Sequence, residues 1–275
     1  MDDDSLTDNN AKSGDSAVND PGMDGMPEAV IPEPPKKQGM PRVPWSMPDV
    51  FAIIGLVIVF GLAIFTVFGA VAGVVYYTIS GSDPENLFAD SPLVNSFMWF
   101  VQWAVMLGVA FTYMKIRGYH LSLNVLGFRR TRLWTAIWLT VVVRILAGIA
   151  EWIYTNFVTP EQTSVTDMFG LSLASYILTM MLVAVLTPVV EEMFFRGIIH
   201  QGLEQRLGFF PGAIISSFIF ALAHIDPTLY IPIFILGFGF AYLMHKTKSL
   251  WPGIAGHFLV NALAVTVQFL DPGGG

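Results

Sequence analysis

The sequence predicts an all-α fold, a polytopic transmembrane helical bundle of about seven to eight spans. Two observations lead to this fold class. First, 54% of the 275 residues are hydrophobic and only 13% are charged, whereas a soluble domain carries about 25% charged residues. Second, apolar stretches of about 20 residues, the length that crosses a bilayer, recur from Val50 to Leu270.

Turn-forming Pro, Gly and Asp residues divide these stretches into seven predicted spans. Their approximate limits are 50–77, 94–114, 133–153, 172–190, 211–224, 229–245 and 252–270. We expect the fourth span to continue as a helix past Arg196 to about Leu207. A short re-entrant helix near 156–170 would raise the count to eight.

The chain ahead of the bundle has a different composition. Residues 1–48 contain nine acidic and four basic residues, many Asp, Pro, Gly and Ser residues, and few large apolar ones. Such a segment buries too little apolar surface to fold, so we predict a disordered tail over 1–48 and a bundle over 49–271. A solvated leader is the favoured interpretation of this tail, ahead of a partner-binding segment.

The loop charges indicate how the bundle is oriented. Basic residues precede the first span and recur in alternate loops, so that all fall on one side when the N-terminus is cytoplasmic. They are Lys36, Lys37, Arg42, Lys115, Arg117, Arg129, Arg130, Arg132, Arg206, Lys246 and Lys248. The opposite loops carry acids without Lys or Arg. We therefore predict a multi-pass protein of the cell membrane with a cytoplasmic N-terminus.

Composition also excludes several classes of function. The sequence contains no cysteine, which excludes disulfides, thiolate metal sites and a cysteine nucleophile. The basic residues form no patch of the kind that nucleic acid requires. We therefore expect no nucleic-acid partner.

Two adjacent carboxylates inside an apolar helix are the first functional signal. Glu191 and Glu192 follow Pro188 in the fourth span, where each charge costs roughly 3 kcal/mol on insertion scales. Glu192 and Arg196 are i,i+4 neighbours on a helix, so we expect Arg196 to neutralise and orient Glu192. Glu191 projects roughly 140° away from Arg196. It is the less compensated acid and therefore the candidate general base. We also expect Pro188 to disturb the helix just before the acids.

Two later apolar helices contribute the remaining candidates. His224 ends the fifth span, and His257 and Asn261 are i,i+4 neighbours in the seventh. Polar residues in a span face the bundle interior and are usually functional, although a structural polar network is the alternative for the second pair. An imidazole and an amide at one place can stabilise an oxyanion.

These side chains can hydrolyse an amide or ester bond without a covalent intermediate. Glu191 would take a proton from water, and His224 would hold the water or relay the proton. His257 and Asn261 would then stabilise the oxyanion. Glu191, His224 and His257 are also an acceptable zinc set with one open position. Because no His-Glu-x-x-His helix is present, we favour a site without a cofactor, with zinc as the alternative.

The remaining polar residues of the bundle are weaker candidates for a functional role. Arg144, near the middle of the third span, could clamp a substrate carboxylate or pair with Glu151 or Glu192, and we favour the structural pairing. Three further histidines lie at predicted helix ends and are interpreted as interfacial residues; these are His120, His200 and His245.

Taken in order, the three motifs resemble those of the CAAX protease and bacteriocin-processing (CPBP or Abi) family of intramembrane endopeptidases. The motifs read Glu191-Glu192-x-x-x-Arg196, Phe220-x-x-x-His224 and His257-x-x-x-Asn261. Each is weak alone, but three in order, each in its own apolar helix, are a strong signal. The similarity covers roughly residues 170–270.

The resemblance implies a function and a role for each residue. Glu191 would be the catalytic glutamate, and His224 would activate water. His257 and Asn261 would form the oxyanion site. Members of the family have been described both as metalloproteases and as glutamate-dependent proteases, and we favour the second. Eukaryotic members remove the last three residues of prenylated CAAX proteins. The expected partners are therefore a peptide or protein substrate, with or without a lipid, and membrane lipid.

Two other functions fit parts of the pattern. A non-catalytic immunity or scaffold protein could bind a peptide or a partner in the same cavity, but the presence of every motif residue favours the enzyme. A proton-coupled transporter would also place Glu and His in its spans. It would require inverted repeats and broken helix pairs, and neither is evident in the sequence.

Overall fold

The computed structural model describes residues 41–81, 83, 91–158, 169–224 and 226–271. Within these ranges the chain is helical and forms eight helices. They are α1 (Met47–Ser80), α2 (Pro92–Ile116), α3 (Leu123–Leu126), α4 (Leu133–Thr155), α5 (Leu173–Leu207), α6 (Phe209–Leu222), α7 (Tyr230–Thr247) and α8 (Trp251–Leu270). A single 3₁₀ turn, Pro227–Leu229, leads into α7. The prediction of an all-α membrane bundle is confirmed.

Six of these helices are long and apolar enough to cross a membrane, namely α1, α2, α4, α5, α7 with its 3₁₀ turn, and α8. The predicted fifth span corresponds to α6, which has only 14 residues. It is about 21 Å long, shorter than a hydrocarbon core of about 30 Å. The fourth span does continue to Leu207, as predicted. The re-entrant helix predicted near 156–170 falls mostly outside the described residues.

Helix α5 is not a regular α-helix. Two segments have the wider i→i+5 hydrogen bonding of a π-helix, Met180–Leu186 and Glu192–His200, and a short α-helical piece, Thr187–Glu191, separates them. Segments of this kind are rare and occur frequently at functional sites. Both candidate acids therefore lie at the junction between two kinds of helix.

The chain enters the bundle at residues that pack tightly on α5. Trp45 is 1% exposed and its indole N–H donates to the Ile198 carbonyl at 3.0 Å. Most of the predicted tail, residues 1–40, lies outside the described part of the chain, so its disorder stays a prediction. The packed residues around Trp45 belong structurally with the bundle rather than with a tail that continues to 48.

Asp49 fastens the start of α1 to the end of α2. Its buried carboxylate accepts hydrogen bonds from the Ser46 backbone at 2.8 Å, the Tyr113 hydroxyl at 2.9 Å and the Tyr119 hydroxyl at 2.8 Å. Arg117 also lies 3.2 Å away. A buried acid with this many donors satisfies its hydrogen-bonding capacity without reaching solvent.

Glycines allow the helices around α5 to approach closely. A Cβ atom at Gly239 in α7 would collide with the Val143 side chain of α4. A Cβ at Gly256 in α8 would lie 3.1 Å from Thr140 of α4, whose hydroxyl donates to the Pro252 carbonyl at 3.4 Å. Small residues bring membrane helices together in this way, and here they join α4, α7 and α8 behind α5.

The contact between the N-terminal segment and α5 can be tested at Gly202. A Cβ there would lie 2.5 Å from Val50 Cγ2 and 2.9 Å from the Trp45 indole nitrogen. We expect Gly202→Ala to lower the free energy of unfolding by about 1–3 kcal/mol through overpacking. The control is Gly108→Ala in α2, where nothing lies within 4 Å and the loss of backbone freedom stabilises by about 0.5–1 kcal/mol. Denaturant titration in detergent, followed by circular dichroism, measures both, and equal effects would contradict the packing.

Candidate active site

The centre of the site is a buried ion pair on α5. The Arg196 guanidinium nitrogen Nη1 lies 2.9 Å from Glu192 Oε1, and both side chains are at most 2% exposed. Arg196 also donates to the Gly237 carbonyl of α7 at 3.1 Å. Because a buried guanidinium needs an opposite charge and hydrogen-bond acceptors, α5 and α7 are fixed to each other at this point.

His257 of α8 lies between the two acids. Its Nδ1 is 3.2 Å from Glu192 Oε1, and its Nε2 is 3.7 Å from Glu191 Oε2. A regular helix places Glu191 roughly 140° from Arg196. In the structure Glu191 and Glu192 nevertheless both contact the same imidazole, which α8 supplies.

The charges of these four groups balance when His257 is doubly protonated. Glu191 and Glu192 then supply two negative charges, and Arg196 and His257 supply two positive ones. A buried cluster with no net charge avoids most of the cost of an isolated ion. In this state the His257 Nδ1–H donates to Glu192, and its Nε2–H points towards Glu191 Oε2, a buried oxygen that has no hydrogen-bond partner in the described structure.

Two phenylalanines and one glycine shape the site around these charges. The Phe220 ring of α6 lies 4.2 Å from the Arg196 guanidinium, and the Phe240 ring of α7 stacks on His257 with ring centroids 5.1 Å apart. A Cβ at Gly253 would lie 2.9 Å from Glu192 Oε2. The site is therefore a buried charged cluster lined by aromatic rings, and on the α8 side Gly253 leaves no room for a larger side chain beside Glu192.

His224 lies just beyond the end of α6 and contacts the site through Phe220. Its Nδ1 lies 2.9 Å from the Phe220 carbonyl, and its ring meets the Phe220 ring edge-on at 4.9 Å. Because a carbonyl can only accept, the tautomer with a proton on Nδ1 fits this contact, and in that tautomer Nε2 carries the lone pair. His224 is half-buried, so this nitrogen can accept a hydrogen bond from water.

Asn261 repairs a defect that Pro188 creates in α5. In the π-helical segment that ends at Leu186, the Thr187 N–H bonds back to the Leu182 carbonyl, five residues earlier. The next bond in this register would join residue 188 to Val183, but proline has no N–H. The Asn261 amide nitrogen donates to the Val183 carbonyl instead, at 2.8 Å. An unpaired carbonyl within a membrane would otherwise cost several kcal/mol.

The structure thus brings Glu191, Glu192, Arg196 and His257 into direct contact. His224 adjoins them through Phe220, and Asn261 adjoins them through α5. Among the described residues no group of three or more His, Cys, Asp or Glu side chains is arranged to hold a metal ion. The zinc alternative built on Glu191, His224 and His257 stays a prediction.

Some residues of the site cannot be recognised from the sequence. Phe240 and Gly237 in α7 are examples, since an aromatic ring and a glycine in an apolar helix look like ordinary packing residues. Arg144 was considered for substrate binding, and the structure places its guanidinium 3.8 Å from Glu151. That distance is compatible with the structural pairing that we favoured.

Fold and site together define a multi-pass membrane protein with a buried Glu–His centre. Residues 173–263 match the family model described as type II CAAX prenyl endopeptidase Rce1-like. The Bacillus subtilis (strain 168) protein named "Putative membrane peptidase YdiL" is 36% identical over 89 residues, which are 32% of this chain and 36% of that protein. The chain thus covers about a third of this relative. No solved structure matches. The resemblance to the CAAX protease and bacteriocin-processing family is confirmed over this region.

The link between Pro188 and Asn261 predicts a specific double-mutant result. Asn261→Ala leaves the Val183 carbonyl unpaired and should lower the free energy of unfolding by about 1–3 kcal/mol. Adding Pro188→Ala restores an N–H to this carbonyl, so the double variant should recover about 1 kcal/mol or more of the loss. The control is Pro92→Ala with Asn261→Ala, since Pro92 begins α2, where an N–H has no helical partner. Additive effects in both pairs would contradict the repair.

The buried ion pair predicts a large difference between two arginines. Arg196→Gln strands the Glu192 charge and should destabilise the protein by about 3–5 kcal/mol. Arg144→Gln should change stability by less than about 1 kcal/mol, because its pair with Glu151 is 3.8 Å long and both side chains are partly exposed. Unfolding in detergent, followed by circular dichroism, compares the two, and similar losses would refute the assignment of Arg196 as the central charge.

Proposed function

We propose that this protein is an intramembrane endopeptidase that hydrolyses a peptide bond near the C-terminus of membrane-associated proteins. The observation that carries the proposal is His257, an imidazole between two buried carboxylates, Glu191 and Glu192, each of which keeps one oxygen without a hydrogen-bond partner in the described structure. Keeping an incompletely satisfied acid in a buried place is expensive. The match of this region to the Rce1-like model supports a peptidase as the reason for keeping it.

Glu191 acts as the general base in this mechanism. Its carboxylate accepts a proton from water, and the water oxygen bonds to the carbonyl carbon of the scissile peptide while the carbonyl electron pair moves onto oxygen. When this intermediate collapses, the C–N bond breaks and Glu191 returns the proton to the leaving amine. A positioned acid–base group of this kind contributes about 10²–10⁴-fold to the rate.

The other residues orient the reactants and stabilise charge. The lone pair on His224 Nε2 accepts a hydrogen bond from the attacking water and fixes its direction. The Nε2–H of the His257 cation and the second amide N–H of Asn261 are the donors for the oxyanion. Glu192 and Arg196 do not touch the substrate; Glu192 holds His257 by its Nδ1–H, and Arg196 compensates the Glu192 charge.

The substrate class and the membrane topology are part of the same proposal. The Rce1-like description names a CAAX prenyl endopeptidase, so a prenylated CAAX peptide is the substrate to test, with membrane lipid around it. The basic residues at alternate loops favour a cytoplasmic N-terminus by the positive-inside rule.

The decisive variant is Glu191→Gln, which preserves shape and removes the base. We expect the cleavage rate of a prenylated CAAX peptide by the purified full chain to fall by about 10²-fold or more. The control Glu151→Gln removes a half-exposed acid outside the site and should cleave at the wild-type rate. Mass spectrometry of the released tripeptide measures the rate, and circular dichroism verifies that each variant is folded.

A strong zinc chelator separates the two mechanisms in the same assay. Cleavage that survives the chelator supports a glutamate-dependent protease, whereas cleavage lost with the chelator and regained with zinc overturns this mechanism and keeps the function. If folded wild-type protein cleaves nothing, the peptidase proposal fails for this substrate and a non-catalytic scaffold becomes the better explanation.

A further inference from the structure

A second cluster of titratable side chains lies beyond the active site on α5. Glu204 holds one histidine with each carboxylate oxygen: His200 Nε2 lies 3.0 Å from Oε2, and His245 Nδ1 lies 2.6 Å from Oε1. His200 is fully buried and Glu204 is 7% exposed. The prediction that His200 is an interfacial residue at a helix end is wrong, because His200 is fully buried inside α5.

The cluster joins three helices of the bundle. His200 and Glu204 belong to α5, and His245 belongs to α7. Ser216 of α6 places its hydroxyl 3.5 Å from His200 Nδ1, and the Phe209 ring of α6 packs on the His245 ring with centroids 4.4 Å apart. These are the same three helices that meet at Arg196, Phe220 and Gly237.

Other charged groups lie near this end of α7. Burial lowers the pKa of Lys248, and the charge of Glu204 partly opposes that effect. Lys246 and Arg129 lower the pKa of Lys248 further, and Arg129 donates to the Lys248 carbonyl at 3.1 Å. Among the described residues, the titratable groups in contact with the Glu204 carboxylate are His200 and His245.

Helix α7 connects this cluster to the chemistry. Its Gly237 carbonyl accepts from Arg196, and its Phe240 ring stacks on His257. His245 follows Phe240 by five residues, a little more than one helical turn. A displacement of the α7 end that carries His245 would therefore move the Gly237 carbonyl and the Phe240 ring, which contact Arg196 and His257.

We propose that Glu204 is a positioning residue: through His245 it clamps the end of α7 against α5, and so keeps Gly237 and Phe240 in register with Arg196 and His257. The hold of Glu204 on α7 rests on the 2.6 Å contact with His245. A hydrogen bond to a carboxylate is roughly twice as strong as one between neutral groups, so the loss of this contact should loosen the end of α7.

Hydrogen–deuterium exchange of the full chain in detergent tests the clamp without any assay of activity. Relative to wild type at the same pH, Glu204→Gln should speed exchange of residues 240–247 by about tenfold, the effect of losing one charge-assisted hydrogen bond. The faster exchange should be local to this end of α7, and residues 99–114 of α2 should exchange at the wild-type rate. Equal acceleration of both segments would indicate a general loss of packing, and either that result or unchanged exchange of residues 240–247 would overturn the proposal.

Two further variants make the result specific. His245→Gln removes the partly exposed partner and leaves the buried acid in place, so it remains informative if Glu204→Gln folds poorly. Its effect on residues 240–247 should not add to that of Glu204→Gln, because the two side chains form one contact. The control His120→Gln changes an exposed histidine and should leave exchange unaltered. Additive effects, or an equal effect of the control, would refute the clamp.

The link to catalysis rests on the proposed function and has its own readout. If the wild type cleaves a prenylated peptide, His245→Gln should lower kcat severalfold with KM little changed, since no substrate contact is lost. Unchanged kcat with faster exchange would overturn the positioning role. If the wild type cleaves nothing, the peptidase proposal fails, and exchange alone decides whether the clamp exists.

Discussion

The pairing of Arg196 with Glu192 is the interaction on which the rest of the active site depends. Both groups are removed from solvent, so neither can be present without the other at a tolerable cost. The pair makes Glu192 available as an acceptor for His257, and His257 in turn faces Glu191. The pair also explains why a carbonyl of α7 and two aromatic rings contact the Arg196 guanidinium, which is buried away from solvent.

A second constraint is the interruption of α5 by Pro188. A proline in the middle of a span would normally be a liability, because it leaves a carbonyl without a donor. Here the backbone widens to a π-helix before the proline, and a side chain from α8 occupies the vacant bonding position. The same contact brings α8, and with it His257, to the level of the two acids. A local defect of one helix is thus the attachment point of another.

The sequence predicts the architecture well because long apolar stretches and their breaks are local signals. All seven predicted spans correspond to helices, and the continuation of the fourth span to Leu207 follows from the absence of proline between Val189 and Leu207. The pairing of Glu192 with Arg196 likewise follows from their spacing. The shared contact of Glu191 and Glu192 with His257 could not be predicted, since it depends on how α8, distant in sequence, packs on α5. The burial of His200 depends on α6 and α7, distant in sequence, and no local pattern reveals it.

Helix α1 has a mechanical consequence for the protein in a real bilayer. It contains 34 residues and is about 51 Å long, against a hydrocarbon thickness of about 30 Å. Its buried residues other than Gly73 all lie in the first two turns, near Asp49, and farther along Phe68 contacts Phe97 of α2. A helix longer than the bilayer thickness adapts by tilting, so a change in membrane thickness would act first on α1 and on its contact with α2.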